Sequence, residues 1–475
     1  MTPRDLTASW KHVTATRKFM GRLGRMPSLL AFALTVSPSL VAAETLSSAL
    51  ARAYMSNPTL DAQRASVRAT DENVPRALSG YRPSVSAIAN AGFSRTEGVL
   101  AGNTMNRSLN PASVGLQINQ NLFNGFRTAN STRQAESQVL SAREGLRNVE
   151  QNTLFTAAQT YMNVLRDTAI LNLQRNNVDV LEEQLSQTRT RFQVGEVTRT
   201  DVAQAESRLA AARSQVSSAE SNLQSSIATF RQIIGVEPRQ LAQGLPVDRL
   251  VPRSITEAVQ LGLEEHPAII SALHAVDAAE LQVKITEGEL APTLGLVGSL
   301  AQSYDSTGRG DNAFSASVVA QLNVPIYTGG EVYARVRQTK ETAGQRRIEA
   351  EATRDQVRAA VVSAWGALEA SKASVRAAQA QVEASVIAYA GVREEARVGQ
   401  RTTLDILNQQ QELLNARVNL IVSQRDRVVA SYSVVQATGR LTAKALGLSV
   451  NLYSAKLHFD QVKDLPWGVR TPDGR

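Results

Sequence analysis

Polar and apolar positions alternate along four stretches of this chain, and each pair of stretches gives way to a much longer run with a helical period. In 84–94, Val85, Ala87, Ala89, Ala91 and Phe93 share one side while Ser84, Ser86, Asn90 and Ser94 share the other. In 113–122, Val114, Leu116, Ile118 and Leu122 oppose Ser113, Gln117, Asn119 and Asn121. Further on, Leu294, Leu296 and Leu300 behave alike, and Phe314, Ala316, Val318, Ala320, Leu322 and Val324 oppose Ser315, Ser317, Gln321 and Asn323. A period of two predicts strands. Runs of about ten residues with one apolar face fit the strands of an outer-membrane barrel, and fit equally a soluble hairpin with one buried face.

The long runs step three and four. Leu154, Ala158, Tyr161 and Leu165 lie on one seam, as do Val178, Leu181, Leu185, Thr188 and Phe192. Val202, Ala205, Leu209, Ala212, Val216, Ala219, Leu223, Ser226 and Phe230 hold the spacing after a break. In the second half Val361, Trp365, Leu368, Lys372, Val375, Gln379, Val382, Val386 and Tyr389 repeat it with polar interruptions. Large and small residues alternating on such a seam predict closely packed coiled coil, helix core rather than a cofactor box.

A short turn is written twice between helical runs. Val194-Gly195-Glu196-Val197-Thr198-Arg199-Thr200-Asp201 returns 204 residues later as Val398-Gly399-Gln400-Arg401-Thr402-Thr403-Leu404-Asp405. Gly past a helix end supplies a left-handed residue, and Thr then caps the next helix. The resulting hairpins are about 100 Å tall at 1.5 Å rise per residue.

The turn belongs to a larger duplication. Residues 46–93 align without gaps onto 255–302, placing Asn57-Pro58 on His266-Pro267 and Arg82-Pro83 on Ala291-Pro292. Beyond a shift of five residues, Asn124-Gly125 falls on Thr328-Gly329. This divides the chain into a leader at 1–43, a first repeat at 44–244, a second at 245–447 and a tail at 448–475 that is equatorial or disordered. The first repeat has strands at 83–95 and 111–123, a long helix at 127–193 and a helix at 198–234. The second has strands at 292–304 and 313–326, a long helix at 330–397 and a helix at 402–438.

Composition narrows the chemistry. The 475 residues contain no Cys and four His, and no glycine-rich phosphate loop, so no catalytic or metal constellation and no cofactor is expected. Arg17, Lys18, Arg22 and Arg25 precede an apolar stretch at 28–40 and the small residues Val41-Ala42-Ala43, the pattern of a secretory signal. The leader carries six Lys/Arg and one Asp, so the net charge of +8 falls to +3 without it, which argues against nucleic acid as a partner. Arg309-Gly310-Asp311 reads as a loop tip between two strands rather than an integrin motif. Four strands cannot close a barrel, for which about eight is the minimum, and open edges are not tolerated in lipid. Strands that meet lipid here must be shared, and three chains with twelve strands are the smallest symmetric closure well above that minimum.

The two V-G-x-x-T-x-x-D turns and the joints Leu122-Phe123-Asn124-Gly125 and Ile326-Tyr327-Thr328-Gly329-Gly330 carry a resemblance, as do the Asn-Pro and His-Pro repeat starts. They resemble the TolC-type trimeric outer-membrane channel-tunnel proteins of type I secretion and multidrug efflux. Tyr453, His458-Phe459, Val462-Lys463-Asp464 and Trp467-Gly468 look like the tail of the alphaproteobacterial secretion members. The resemblance covers the whole mature chain. It implies a mainly α fold with membrane β: coiled-coil hairpins forming an α-barrel, and four strands per chain of a shared twelve-stranded β-barrel. It also implies a homotrimer in the Gram-negative outer membrane, its helical part in the periplasm. A periplasmic adaptor and an inner-membrane ABC or RND transporter would dock there, and the duct would not be an enzyme.

The same resemblance places a gate at the second turn, with Asp405 as an acidic ring and Asn408 where the family has a second acid. Arg401 would hold the closed state against Thr200 and Asp201, while Ala396 stands where the family has an aromatic latch. Adaptor contact would fall on Val194, Gly195, Thr198, Val398, Gly399 and Thr402. The competing reading of Asp201 and Asp405 is local, since Thr198-x-x-Asp201 and Thr402-x-x-Asp405 both have capping-box spacing. The alternative for the whole chain is a fibrous coiled-coil scaffold or filament subunit without channel activity.

Overall fold

The computed structural model describes residues 44–100 and 103–474; the leader expected at 1–43 lies outside them. The chain opens with helices α1 (Leu46–Ser56), α2 (Pro58–Asp71) and α3 (Asn73–Leu78), then strands β1 (Ser84–Ala91), β2 (Ser94–Leu100), β3 (Asn103–Leu109) and β4 (Ala112–Asn124). Helix α4 (Arg127–Gln193) runs for 67 residues and reverses into α5 (Arg199–Ile234). The second half repeats the scheme with α6 (Ile255–Glu265), α7 (Pro267–Glu287), β5 (Thr293–Tyr304) and β6 (Asn312–Asn323). Helix α8 (Glu331–Arg397), again of 67 residues, reverses into α9 (Thr403–Ala437), and α10 (Ala443–Leu446) and α11 (Ala455–Val462) close the chain.

Four strands make one antiparallel sheet in the order β1-β4-β5-β6, leaving the outer edges of β1 and β6 unpaired among the described residues. Cross-strand register keeps like with like. Val85 faces Ile118, Ala87 faces Leu116, Leu116 faces Leu300 and Leu300 faces Ala316. On the other face Ser86 meets Gln117, Gln117 meets Ser299 and Ser299 meets Ser317. In a single chain the sheet displays a largely apolar face including Val85, Val114, Leu116, Leu300, Phe314 and Val318, interrupted by Gln302 between Val114 and Phe314.

The strand expected at 83–95 stops at Ala91, and Gly92 and Phe93 interrupt it. Beyond the break, β2 and β3 form a separate antiparallel hairpin where a loop was expected. The alternation test could not find it, because Arg95, Glu97, Asn106 and Ser108 give it no apolar face.

The helices continue the order of the strands. Helix α4 packs against α2 and α5 on one side and against α7 and α9 on the other, and α8 packs against α7 and α9. Across the chain the order is therefore α2 with α5, then α4, then α7 with α9, then α8, matching the strands each column feeds or follows. Along α8 the buried residues Val336, Ala343, Ala350, Val357, Ala364, Ser371 and Ala378 fall every seventh position. A strict seven-residue repeat imposes a left-handed supercoil, and small side chains let the neighbour approach closely. This stripe differs from the expected one beyond Leu368: Val375, Val382, Val386 and Tyr389 remain partly or fully exposed.

The largest core lies midway, where the short helices wrap the long ones. Leu50, Leu154, Tyr161, Phe230, Val435 and Leu441 are buried in it. The Tyr161 hydroxyl lies 2.7 Å from Glu44 O and 2.6 Å from Ala242 O, which ties the chain start to the link between repeats. Burial pushes its pKa up to about 12, so it stays a donor. The tail joins this belt: α11 packs on α2, and Tyr453 N donates to the Tyr54 hydroxyl at 3.0 Å. Among the described residues no helix is long and apolar enough to cross a membrane.

Candidate functional site at the helical tip

The two turns share one backbone. Gly195 and Gly399 take φ values of 79° and 80°, and a Cβ on either would meet nothing within 4 Å, so the dihedral alone requires glycine. Each turn closes by a Schellman bond, from the Glu196 amide to Arg191 O and from the Gln400 amide to Glu395 O, both at 2.9 Å. Thr198 and Thr402 then cap α5 and α9 in full capping boxes. The Thr198 amide donates to Asp201 Oδ2 at 2.9 Å, and the Thr402 amide to Asp405 Oδ2 at 3.0 Å. The Thr198 hydroxyl and amide hold the Asp201 carboxyl below the usual range, and the Thr402 amide and hydroxyl do the same for Asp405.

The surroundings differ. In the first turn Arg191 pairs with Glu196 at 2.7 Å, whereas in the second Glu395, which occupies the position of Arg191, pairs with Arg401 at 2.8 Å. The brace across the turn is kept and its polarity reversed. Arg401 is thus engaged within its own turn, and the bond expected from it to Thr200 and Asp201 is not formed in the single chain. Its guanidinium follows the nearer carboxylate, while the capping box occupies Asp201. Val194 and Val398 stand exposed at the apex.

Contacts between the repeats lie one to two turns above. Arg208 Nη2 donates to Asn408 Oδ1 at 2.8 Å, and Gln410 Nε2 donates to Asn177 Oδ1 at 2.9 Å. Leu407 is buried among Leu181, Leu185, Ala205, Leu209 and Ala212 of the first hairpin. Sequence reasoning named Asn408 for its position but missed Arg208, Leu407 and Gln410. The 4-3-4 spacing of Thr403, Leu407, Gln410 and Leu414 carried the signal for two of them. Ala396 is buried and lines a groove of about 840 Å³ between α4, α8 and α9. Arg191, Arg393, Arg397 and Arg417 outnumber Glu394 on the wall of that groove, where Glu394 pairs with Arg397 at 3.0 Å.

Strands with one apolar face and two edges unpaired among the described residues feed helices in the same lateral order, an arrangement suited to a channel in a membrane. The chain belongs to the outer membrane efflux protein family, whose profile matches residues 48–236 and 258–440, one stretch in each half. It is 43% identical over 434 residues to the outer membrane efflux protein BepC of Brucella suis, covering 91% of this chain and 93% of that protein. It is 26% identical over 431 residues to the outer membrane protein TolC of Escherichia coli, covering 84% of each. Among solved structures, the Campylobacter jejuni CmeC outer membrane channel superposes with a TM-score of 0.76 over 88% of this chain and 89% of that one, at 17% identity.

Proposed function

We propose that this protein is the outer-membrane exit duct of a tripartite export system, a passive channel-tunnel gated at its periplasmic helical tip. Three copies close a twelve-stranded barrel and continue as an α-barrel, and a periplasmic adaptor and an inner-membrane ABC or RND transporter engage the helical end. The observation that carries this reading is the sheet itself. It has an apolar face turned outward and unpaired edges on β1 and β6, which lipid does not tolerate and a ring of copies removes. A fibrous scaffold leaves that apolar sheet unexplained. The duct adds no chemistry of its own, and its cargo is what the transporter delivers. Identity of 43% to a protein named for efflux favours efflux over type I protein secretion. Native mass spectrometry should give the mass of three mature chains, and planar bilayers should show discrete conductance. A monomer without conductance overturns the reading.

The adaptor contact is assigned to the exposed apex, Val194, Gly195, Thr198, Val398, Gly399 and Thr402, and to the basic groove beside it. The gate is assigned to the start of α9, where Arg401, Asp405 and Asn408 follow the second turn while Thr200 and Asp201 form the first-repeat surface opposite. Arg208 on Asn408 and Leu407 in the first hairpin are what hold it shut within a chain. Asp405 serves both as cap and as one third of an acidic ring, since it is only partly covered. Arg208→Ala should raise single-channel conductance and Asp405→Ala should weaken cation preference. If both match the wild type, the gate lies elsewhere.

A further inference from the structure

Within the chain, the foot of β4 packs on the lead-in to β5. A Cβ on Gly125 would stand 2.3 Å from Gly288 O and 2.7 Å from the Ala291 Cβ. The duplication maps Gly125 onto Gly329 and Ala291 onto Arg82. Gly329 has nearly the same φ, 64° against 65°, yet nothing lies within 4 Å of its Cβ position. Beside it Ile326 and Tyr327 are 90% and 78% exposed, whereas their counterparts Leu122 and Phe123 are 56% and 38% exposed. The foot of β6 is shaped to meet a lead-in like that of β1, and in a closed ring that lead-in belongs to the next copy.

The C-terminal segment stands at this lead-in. Arg82 donates from Nη1 to Leu465 O at 3.0 Å and from Nη2 to Asp464 O at 3.2 Å. The approach is fixed from α11, where His458 Nδ1 lies 3.0 Å from Asp71 Oδ2 and Arg143 stacks 4.9 Å over the Phe459 ring. Two residues past the Arg82 clamp, Trp467 is 87% exposed, and Val469 beyond it is fully exposed. A large aromatic held out beside the residues that lead into β1 offers an interaction surface.

We propose that residues 464–467 form an intersubunit clasp. Arg82 presents the segment at the seam between copies, and Trp467 covers Ile326 and Tyr327 of the adjoining copy. The clasp rests on the ring reading above. Its occupant is a second copy of this chain, because the duplication puts the bare, apolar foot of β6 opposite Arg82.

The sequence contains no Cys, so introduced thiols report without background. Trp467→Cys combined with Ile326→Cys should give covalent dimers and trimers on mild oxidation in membranes, and neither single variant should. Ser86→Cys on β1, paired in turn with Ser317→Cys, Val319→Cys and Gln321→Cys on β6, reports the strand seam independently. Cross-linking of a strand pair without the tail pair overturns the clasp and leaves the ring standing; failure of both removes the ring as well. Trp467→Ala should lower the temperature at which the trimer dissociates in detergent, and Trp467→Phe should restore most of it. Quenching of Trp467 fluorescence by brominated acyl chains would place the tail in lipid and overturn the clasp.

Discussion

The midway belt and the helical tip are built largely from the same helices, α4, α5 and α9, yet they are held together differently. In the belt, Leu154, Tyr161, Phe230 and Val435 are buried almost completely, and short helices wrap the long ones from outside. Among the described residues no short helix wraps the tip. The two hairpins meet through Leu407, one buried amide pair and one exposed Arg208–Asn408 bond. Apolar burial is non-directional and grows with area, so the belt is a firm collar. Polar contacts that water can replace contribute little net energy, so the tip is held less firmly than the belt, as the proposed gate requires.

The largest effects should separate the two regions. Phe230→Ala should destabilise the belt by about 3–5 kcal/mol, the range for truncating a buried aromatic, and lower the far-UV melting transition. Leu407→Ala should cost about 2 kcal/mol at the lower end of that series, leave the global melt nearly unchanged and raise conductance. A Leu407→Ala variant that melts as early as Phe230→Ala would erase the distinction between collar and tip.

A smaller effect tests the two turns against each other. Thr198→Ala and Thr402→Ala each remove an N-cap worth about 1 kcal/mol, so local amide exchange at the tip should accelerate equally. Only Thr402→Ala should alter conductance, because only the second turn leads into α9. Equal conductance changes would make the turns functionally equivalent.

The smallest effect is a titration. Burial holds the His266 imidazole below its ordinary value, and its Nδ1 accepts the Ala268 amide at 3.2 Å. The unfolded chain binds a proton as pH falls below about 6.5 while the folded belt does so only at lower pH. Stability is therefore full above that value and declines as pH falls through the window beneath it. Asp201 and Asp405, held low by their caps, keep their contribution until pH falls past about 3.9, so acid should soften the belt before the caps. Asn57 fills the equivalent cap in the first repeat, accepting from Thr59 N at 3.0 Å, so His266→Asn should abolish the decline in melts compared at pH 7.5 and 5.5. An unchanged decline would assign it to other groups.

Local rules determined much of this protein from sequence alone. Left-handed glycines, Thr caps and a three-four seam act within a few residues, so the turns, both 67-residue helices and the apolar face of the sheet were legible. The duplication was legible because Gly and Pro positions constrain backbone shape. Tertiary structure alone decided which partner each side chain took. Arg401 chose Glu395 over the opposite turn, Asn408 chose Arg208, and the tail settled on Arg82. The last two contacts join segments 200 and 383 residues apart, and the first is a choice between a carboxylate six residues away and a turn on the other repeat, which periodicity does not encode. The polar β2–β3 hairpin was equally hidden, since backbone pairing without an apolar face leaves no pattern to read.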